Sequence, residues 1–290
     1  EFDMTSCNFS SRPLLIEADK GICDDCIAEL SDSYDRHYRH PFISCKYCGT
    51  RYSIIKGFPI TRENTTFGAF DMCENCSHEY IDLSNRRYNA HTIACNNCGP
   101  SMTSRLNTVP KAGKTELLKA SSLLKEGRVI AYQGRGGMFL AANPFDRKAA
   151  QDLRTVKNRP TKQFAVMFKE LSEVKKYCLV NETEEKLLKS SARPVVLLER
   201  KTLSEMEDIK PRNYTEFTRY NMMGVRLPVT GTEYLLLDEL IFPIMITSAN
   251  KNGDPIITDE HKVIEMLDEQ PLITEAFFDD IKITTPVEDS

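Results

Sequence analysis

Apolar positions at helical spacing first form a clear stripe in residues 115–125, where Leu117, Leu118, Leu123 and Leu124 mark one face and Gly127 supplies a stop. Residues 128–132 then read as a buried strand, followed by the turn Gln133-Gly134-Arg135-Gly136-Gly137 and an apolar run over 138–142. Asn143-Pro144 has the chemistry of a helix start, and Ala149, Leu153 and Val156 supply the stripe of the helix it would open. Residues 163–168, 194–198 and 243–247 are further strands. Asn181 and Glu184 form a capping box ahead of Leu187 and Leu188, and residues 258–267 predict a late helix. Residues 203–220 form a polar loop, expected to be mobile. This alternation predicts an α/β or α+β domain of about 180 residues with mixed strand directions.

The first hundred residues have a different texture. Eight of the ten cysteines fall between Cys23 and Cys98, as four C-x-x-C pairs: Cys23/Cys26, Cys45/Cys48, Cys73/Cys76 and Cys95/Cys98. The gap inside each half is eighteen residues, and the second half repeats the first with a shift of 50. Glu29/Glu79, Asp32/Asp82, Arg36/Arg86, Tyr38/Tyr88, Ile43/Ile93 and Gly49/Gly99 obey the same shift, so the segment is a duplicated module. Four thiolates at this spacing suit tetrahedral Zn²⁺, and four sulfurs per ion leave no open position for catalysis. The glycine after each last cysteine suits the sharp turn that lets backbone N–H groups face sulfur. A disulfide framework and redox exchange both fit the periodic spacing less well. Sequential sites, one per repeat, are the expected pairing, although a crossed arrangement would use the same residues. His37, His40, His78 and His91 are expected to pack or hydrogen-bond, and Cys7 and Cys178 to be inert thiols.

Composition narrows the classes. With 41% hydrophobic and 28% charged residues among 290, the chain is an ordinary globular sequence, long enough for two domains and unlike disordered or repetitive chains. The most apolar stretch, residues 234–247, is interrupted by Asp238, Glu239 and Pro243, so no membrane span is expected. The formal charge is −4, and eight thiolates against two zinc dications make it about −8, which argues against nucleic acid as a partner. The first twenty residues carry no apolar leader pattern, and the expected compartment is the cytoplasm. The absence of an initial Met and the abrupt stop at Ser290 suggest a piece of a longer protein.

Three clusters in the second half have chemical potential. Gln133–Gly137 could bring backbone amides close to a small anion, but a tight turn accounts for it as well and it matches neither common phosphate-loop pattern. Lys157-Asn158-Arg159-Pro160-Thr161-Lys162 places three cations where Pro160 ends a helix; they fit a phosphate clamp or a simple complement to the helix dipole. Thr247-Ser248-Ala249-Asn250 directly follows an apolar strand, the position where α/β sheets bind ligands, and an ordinary turn has the same composition.

Taken together, the tandem C-x₂-C-x₁₈-C-x₂-C units, the intervening segments from Arg36 to Ile43 and from Arg62 to Thr66, the K-x-R-x-x-K pattern at Lys157, Arg159 and Lys162, and the S-x-N element at Ser248 and Asn250 resemble the HypF family of hydrogenase-maturation carbamoyltransferases. The resemblance covers nearly the whole chain. It implies a linker over 1–20, a tandem four-cysteine zinc-finger module over 21–105 and a YrdC-like nucleotide-binding domain over 106–290, an open twisted mixed sheet with flanking helices. It further implies an acylphosphatase-like domain before the fingers and a carbamoyl-transfer domain after the YrdC-like part, both outside this sequence. The implied chemistry is formation of carbamoyl-adenylate from ATP and carbamate, itself derived from carbamoyl phosphate, for transfer to the C-terminal cysteine of a HypE-like acceptor.

In that reading Lys157 and Arg159 are the catalytic cations, Lys162 a phosphate contact, and Thr247, Ser248 and Asn250 the phosphate–Mg²⁺ region. Gly136 and Gly137 offer backbone contacts to the small substrate, and Arg226 contacts the nucleotide. Cys23, Cys26, Cys45, Cys48, Cys73, Cys76, Cys95 and Cys98 hold two structural Zn²⁺. Zinc loss is expected to unfold residues 20–100 and spare the rest. The chain departs from the family at Gln133, where Lys is usual, at Phe139 for His, and at Gln163 for Pro. Arg226 instead resembles the threonylcarbamoyl-adenylate synthases, which are the rival reading, alongside a non-catalytic RNA-binding zinc module.

Overall fold

The computed structural model describes residues 16–105, 107–111, 113–202, 205–206, 220–251 and 253–287. Most of the polar 203–220 loop, and Cys7, lie outside these residues. Helices α1 (Asp24–Ser31) and α2 (Glu74–Ile81) begin directly after Cys23 and Cys73, so the 50-residue sequence repeat is also a structural repeat. The remaining helices are α3 (Gly113–Lys125), α4 (Arg147–Lys157), α5 (Leu171–Tyr177), α6 (Glu182–Lys189), α7 (Gly231–Asp238) and α8 (Glu260–Glu269). The strands are β1 (Met102–Ser104), β2 (Asn107–Lys111), β3 (Val129–Gly134), β4 (Gly137–Ala142), β5 (Ala165–Met167), β6 (Val196–Glu199), β7 (Met222–Arg226), β8 (Ile244–Ser248) and β9 (Ile273–Asp279).

Among the described residues these strands form one nine-stranded open sheet in the order β2-β1-β9-β3-β4-β8-β5-β7-β6. Strand directions are mixed, as expected: β3/β9 and β5/β7 are parallel and the other neighbours antiparallel. β3 and β4 are buried on both faces, which is why they read as continuous apolar runs rather than as alternating strands. Val129, Ala131, Met138 and Leu140 face one core with Ala149 and Leu153 of α4 and Val263 and Leu267 of α8. Ile130, Tyr132, Phe139 and Ala141 face the other, with Leu117 and Leu124 of α3 and Leu235 to Leu237 of α7. Ile22, Leu30, Phe42 and Ile43 of the first finger belong to that second core. The second finger has a small core of its own around Cys76, Ala90, Ile93 and Cys95.

Several local expectations need correction. Asn143-Pro144 does not open α4. Asn143 Oδ1 accepts the Phe145 N–H at 2.9 Å in a local turn, and Asp146 is the cap, accepting from Ala149 N at 2.9 Å. A Cβ at Gly127 would lie 2.3 Å from that Asp146 carboxylate, and its φ of +71° already favours glycine. The same helix stops at Asn158, left-handed at φ 47°, ahead of Pro160. The capping box of α6 forms as read, with both reciprocal hydrogen bonds at 2.9 Å. α7 carries no legible stripe because nearly all of it is buried.

Candidate metal centres and nucleotide cleft

The four C-x-x-C pairs assemble in sequence order. Cys23, Cys26, Cys45 and Cys48 form one cluster, and Cys73, Cys76, Cys95 and Cys98 the other. In the first, Sγ–Sγ separations are 3.8 Å for Cys23/Cys45, 3.8 Å for Cys45/Cys48 and 3.6 Å for Cys26/Cys48. The second gives 3.7 Å for Cys73/Cys95, 3.7 Å for Cys95/Cys98 and 3.5 Å for Cys76/Cys98. A tetrahedron with Zn–S bonds of about 2.3 Å has edges of about 3.8 Å, so both clusters fit zinc. A disulfide would need sulfurs at about 2.05 Å.

Tyr47 N and Asn97 N, equivalent in the two repeats, donate to Cys45 and Cys95 Sγ at 3.4 Å each. Gly49 makes the turn at φ +93°, while at Gly99 a Cβ would crowd Ala94, Cys95 and His40 at about 3 Å. Neither site leaves a ligand position for water, so the centres are structural.

His37 and His40 are buried and serve as packing groups. His37 Nδ1 lies 3.1 Å from Asp35 Oδ1, and His40 Nδ1 3.1 Å from Asn96 Oδ1. Burial pushes their pKa values down to about 4 and about 3, keeping both rings neutral. Burial also pushes the Cys178 thiol up to about 12, consistent with an inert sulfur.

The second candidate site is a cleft of about 320 Å³ on the sheet face opposite α4 and α8. Phe139 and Ile246, part of the second core, continue into its lining. Its polar lining comes from Arg159, Lys162, Gln163, Thr247, Ser248 and Arg226; Phe164, Val195 and Leu197 are apolar. Arg159 and Lys162 also line an adjoining polar recess of about 380 Å³, together with Asn250 and Gly253. The recess lies outside the carboxyl end of β8, as the position of residues 247–250 suggested. Arg159 Nη1 is 3.5 Å from Thr247 Oγ1, and burial lowers the Arg159 pKa. Arg154, which no motif marks along the chain, donates to the carbonyls of Arg159 (2.9 Å) and Lys162 (3.1 Å) and fixes the cationic loop.

Lys157 occupies a different position from its two cationic neighbours. The residue is 4% exposed, with its side chain turned under the residue 248–250 loop. Nζ donates to Ser248 O at 2.8 Å, to Asn250 Oδ1 at 3.2 Å and to Asn250 O. Ser248 Oγ in turn donates to Asn250 Oδ1 at 2.5 Å. Desolvation, reinforced by the charges of Arg159 and Lys162, lowers the Lys157 pKa to about 8. These hydrogen bonds are spent on the residue 248–250 loop, and Lys157 lines neither the cleft nor the recess that Arg159 and Lys162 share. Arg226 forms the cleft floor, buried and ion-paired to Glu233, with its guanidinium carbon 5.5 Å from the Phe139 ring centroid.

Gly136 and Gly137 are not brought to the cleft. They close the β3–β4 hairpin, where Gly136 lines a cavity of about 70 Å³ beneath the first finger. A Cβ on Gly137 would meet Ile256 at 2.6 Å. Gln133 is engaged there too, donating to Asp279 Oδ1 (2.7 Å) and Ile281 O (2.8 Å). Gln163 sits at the cleft rim and donates to Met222 O at 2.9 Å.

Comparison with known proteins adds to this geometry. Residues 122–290 match the Sua5–YciO–YrdC family model, described as Telomere recombination, and residues 22–55 and 72–104 each match the HypF finger. The carbamoyltransferase HypF of Synechocystis sp. is 42% identical over 294 residues, covering 98% of this chain and 37% of that protein. The crystal structure of full-length HypF in the phosphate- and nucleotide-bound form superposes with a TM-score of 0.84 at 38% identity, over 95% of this chain and 35% of that one. HypF of T. kodakarensis gives 0.86 at 35% identity, over 96% and 36%. The chain thus spans little more than a third of the length of these relatives. Among the described residues no helix is long and apolar enough to cross a membrane.

Proposed function

This chain belongs to the HypF family, with HypF fingers joined to a Sua5/YrdC-type domain, and from that premise we propose that it is the carbamate-activating part of a carbamoyltransferase. The observation that carries this reading is the meeting of Arg159, Lys162, Thr247 and Ser248 in one cleft, continuous through Arg159 and Lys162 with a polar recess. The apolar wall of Phe164, Val195 and Leu197 suits a nucleoside, and the recess bordered by Arg159, Lys162 and Asn250 suits its phosphates. ATP and Mg²⁺ are the proposed co-substrate and ion.

The reaction asks little of acid–base chemistry. Carbamate is already an anion. One of its oxygens forms a bond to the α-phosphorus, the bond from that phosphorus to the bridging oxygen breaks, and pyrophosphate departs with the electron pair. The barrier is repulsion between anions and charge developing on pyrophosphate, which fixed cations lower by position and field. Arg159 supplies a planar fork and Lys162 a mobile point charge. Lys157 acts indirectly, holding Ser248 and Asn250 in place. The carbamoyl group would then pass to a HypE-like acceptor through a domain outside this sequence, in the service of hydrogenase maturation.

The test is ATP–pyrophosphate exchange with zinc-loaded protein and Mg²⁺, supplying carbamate directly, with threonine plus bicarbonate in parallel. Exchange dependent on carbamate alone, and lost in Arg159→Ala, is the expected result. Exchange only with threonine would move the chain to the threonylcarbamoyl-adenylate class, which Arg226 at the cleft floor would suit. Absence of exchange with both, from protein that binds ATP, would count against adenylate formation by this chain alone.

A further inference from the structure

Arg36 and Arg86 hold equivalent positions in the two repeats, and each side chain leaves its own repeat for the other's metal centre. Arg86 Nη2 donates to Cys23, Cys26 and Cys45 Sγ at 3.1, 3.4 and 3.4 Å, three of the four sulfurs of the first centre. Its Nη1 is anchored on Glu29 Oε1 at 2.6 Å. Reciprocally, Arg36 Nη2 donates to Cys76 Sγ at 3.2 Å and Nε to Glu79 Oε1 at 2.7 Å. The next residues repeat the exchange: Arg87 pairs with Glu29, and His37 Nε2 lies 3.9 Å from Glu79 Oε2. Ser44 Oγ bonds Thr92 Oγ1 at 2.8 Å across the same boundary. The fingers therefore meet as an isologous pair within one chain, residue i of one touching residue j of the other and the reverse.

Four thiolates around one dication carry a net charge of −2, and N–H donors to sulfur both offset that charge and orient the ligands. We propose that the two centres form one cooperative metal unit, in which Arg86 secures the first centre and Arg36 the second across the repeat boundary. The coupling is unequal. Three sulfurs of the first centre receive Arg86, whereas one sulfur of the second receives Arg36, so the first centre depends more on its neighbour.

The experiment measures metal retention by the full chain. Protein loaded with ¹¹³Cd gives one resonance per four-sulfur centre, assigned through couplings to the cysteine β-protons, and release to a competing chelator is followed site by site. Arg86→Gln is expected to weaken the first centre by roughly 10–100-fold while every ligand of that centre remains. Arg36→Gln is expected to weaken the second centre, by less. Arg86→Lys, which keeps the charge but loses the fork, should fall between Arg86→Gln and the unsubstituted protein. If Arg86→Gln does not fold with metal bound, Arg36→Gln alone decides. Unchanged retention at the opposite centre, or loss confined to the substituted residue's own repeat, would overturn the proposal.

Discussion

Arg226 Nη2 lies 2.5 Å from Glu233 Oε1, and this ion pair is buried between the cleft floor and the N-terminal turn of α7. The same carboxylate takes the Tyr132 hydroxyl at 2.9 Å on Oε1 and Val229 N at 2.8 Å on Oε2. Burial and the neighbouring Glu233 raise the Tyr132 pKa, so its phenol remains a donor. One carboxylate thus ties the cleft floor to β3 and to α7. Glu233→Ala would leave a buried guanidinium without this anion, at a cost of about 3–5 kcal/mol. Urea unfolding should show a lower midpoint, and nucleotide binding should weaken as the floor of the cleft loosens. An unchanged midpoint would mean that the pair contributes no net stability.

Lys157 predicts a pH dependence with a definite sign. Its pKa in the folded chain is about 8, below the ordinary 10.5. Below pH 8 it is charged both folded and unfolded, and the desolvation penalty is fully present. Between pH 8 and 10.5 the unfolded chain binds more protons, so this residue's contribution to stability improves as pH rises. Denaturant titrations of the native chain and of Lys157→Met across this range should differ by a component of that direction. Lys157→Met should also free the residue 248–250 loop, costing about 1.5–3 kcal/mol for the lost charged hydrogen bonds. A parallel dependence in both proteins would count against the assignment.

Arg159 and Lys162 face the cleft, and their removal should act on ligand binding more than on folding. Each charge-assisted phosphate contact accounts for about 1.5–3 kcal/mol, so Arg159→Ala should weaken ATP binding roughly 10–100-fold. Calorimetric titration at two salt concentrations checks this. Arg159→Lys should recover only part of the loss, because it lacks the planar fork. Equal affinity in all three proteins would remove Arg159 from the nucleotide site.

Zinc removal has a wider consequence than a separate finger module implies. Ile22, Leu30, Phe42 and Ile43 pack in one core with α3, α7, β3 and β4. Gly231 is close enough to the first finger that a Cβ would sit 2.6 Å from Pro41 O. Chelation should therefore lower hydrogen-exchange protection in α7 and α3 as well as in the fingers, replacing the expectation that damage stops near residue 100. α4 and α8, which pack in the other core with Val129 and Leu140, should keep their protection longest. Protection of α7 that survives complete zinc removal would contradict the shared core.

What the sequence determined by itself is local chemistry with a short repeat. A C-x-x-C turn places two sulfurs near one point whatever follows, so two four-cysteine centres were legible from spacing, and the 50-residue shift announced two equal units. The reciprocal bonds of Asn181 and Glu184 lie within one helical turn, and the strands around 129–142 carry long apolar runs; these too were readable. β1, β2, β7, β9 and α5 lie outside the predicted elements, and α7 was hidden because a segment buried on nearly all sides has no polar face to set a period.

The placements of the three cations were decided only in three dimensions. Lys157, Arg159 and Lys162 look equivalent along the chain, yet the left-handed turn at Asn158 sends Arg159 and Lys162 to the cleft while Lys157 is buried under the 248–250 loop. Arg226 reads as a free ligand contact until Glu233 is seen beside it. Arg86 reaches cysteines of the opposite repeat because two copies of one module dock face to face. Such contacts join residues distant in sequence, and their existence depends on how finished elements pack, which no local spacing encodes.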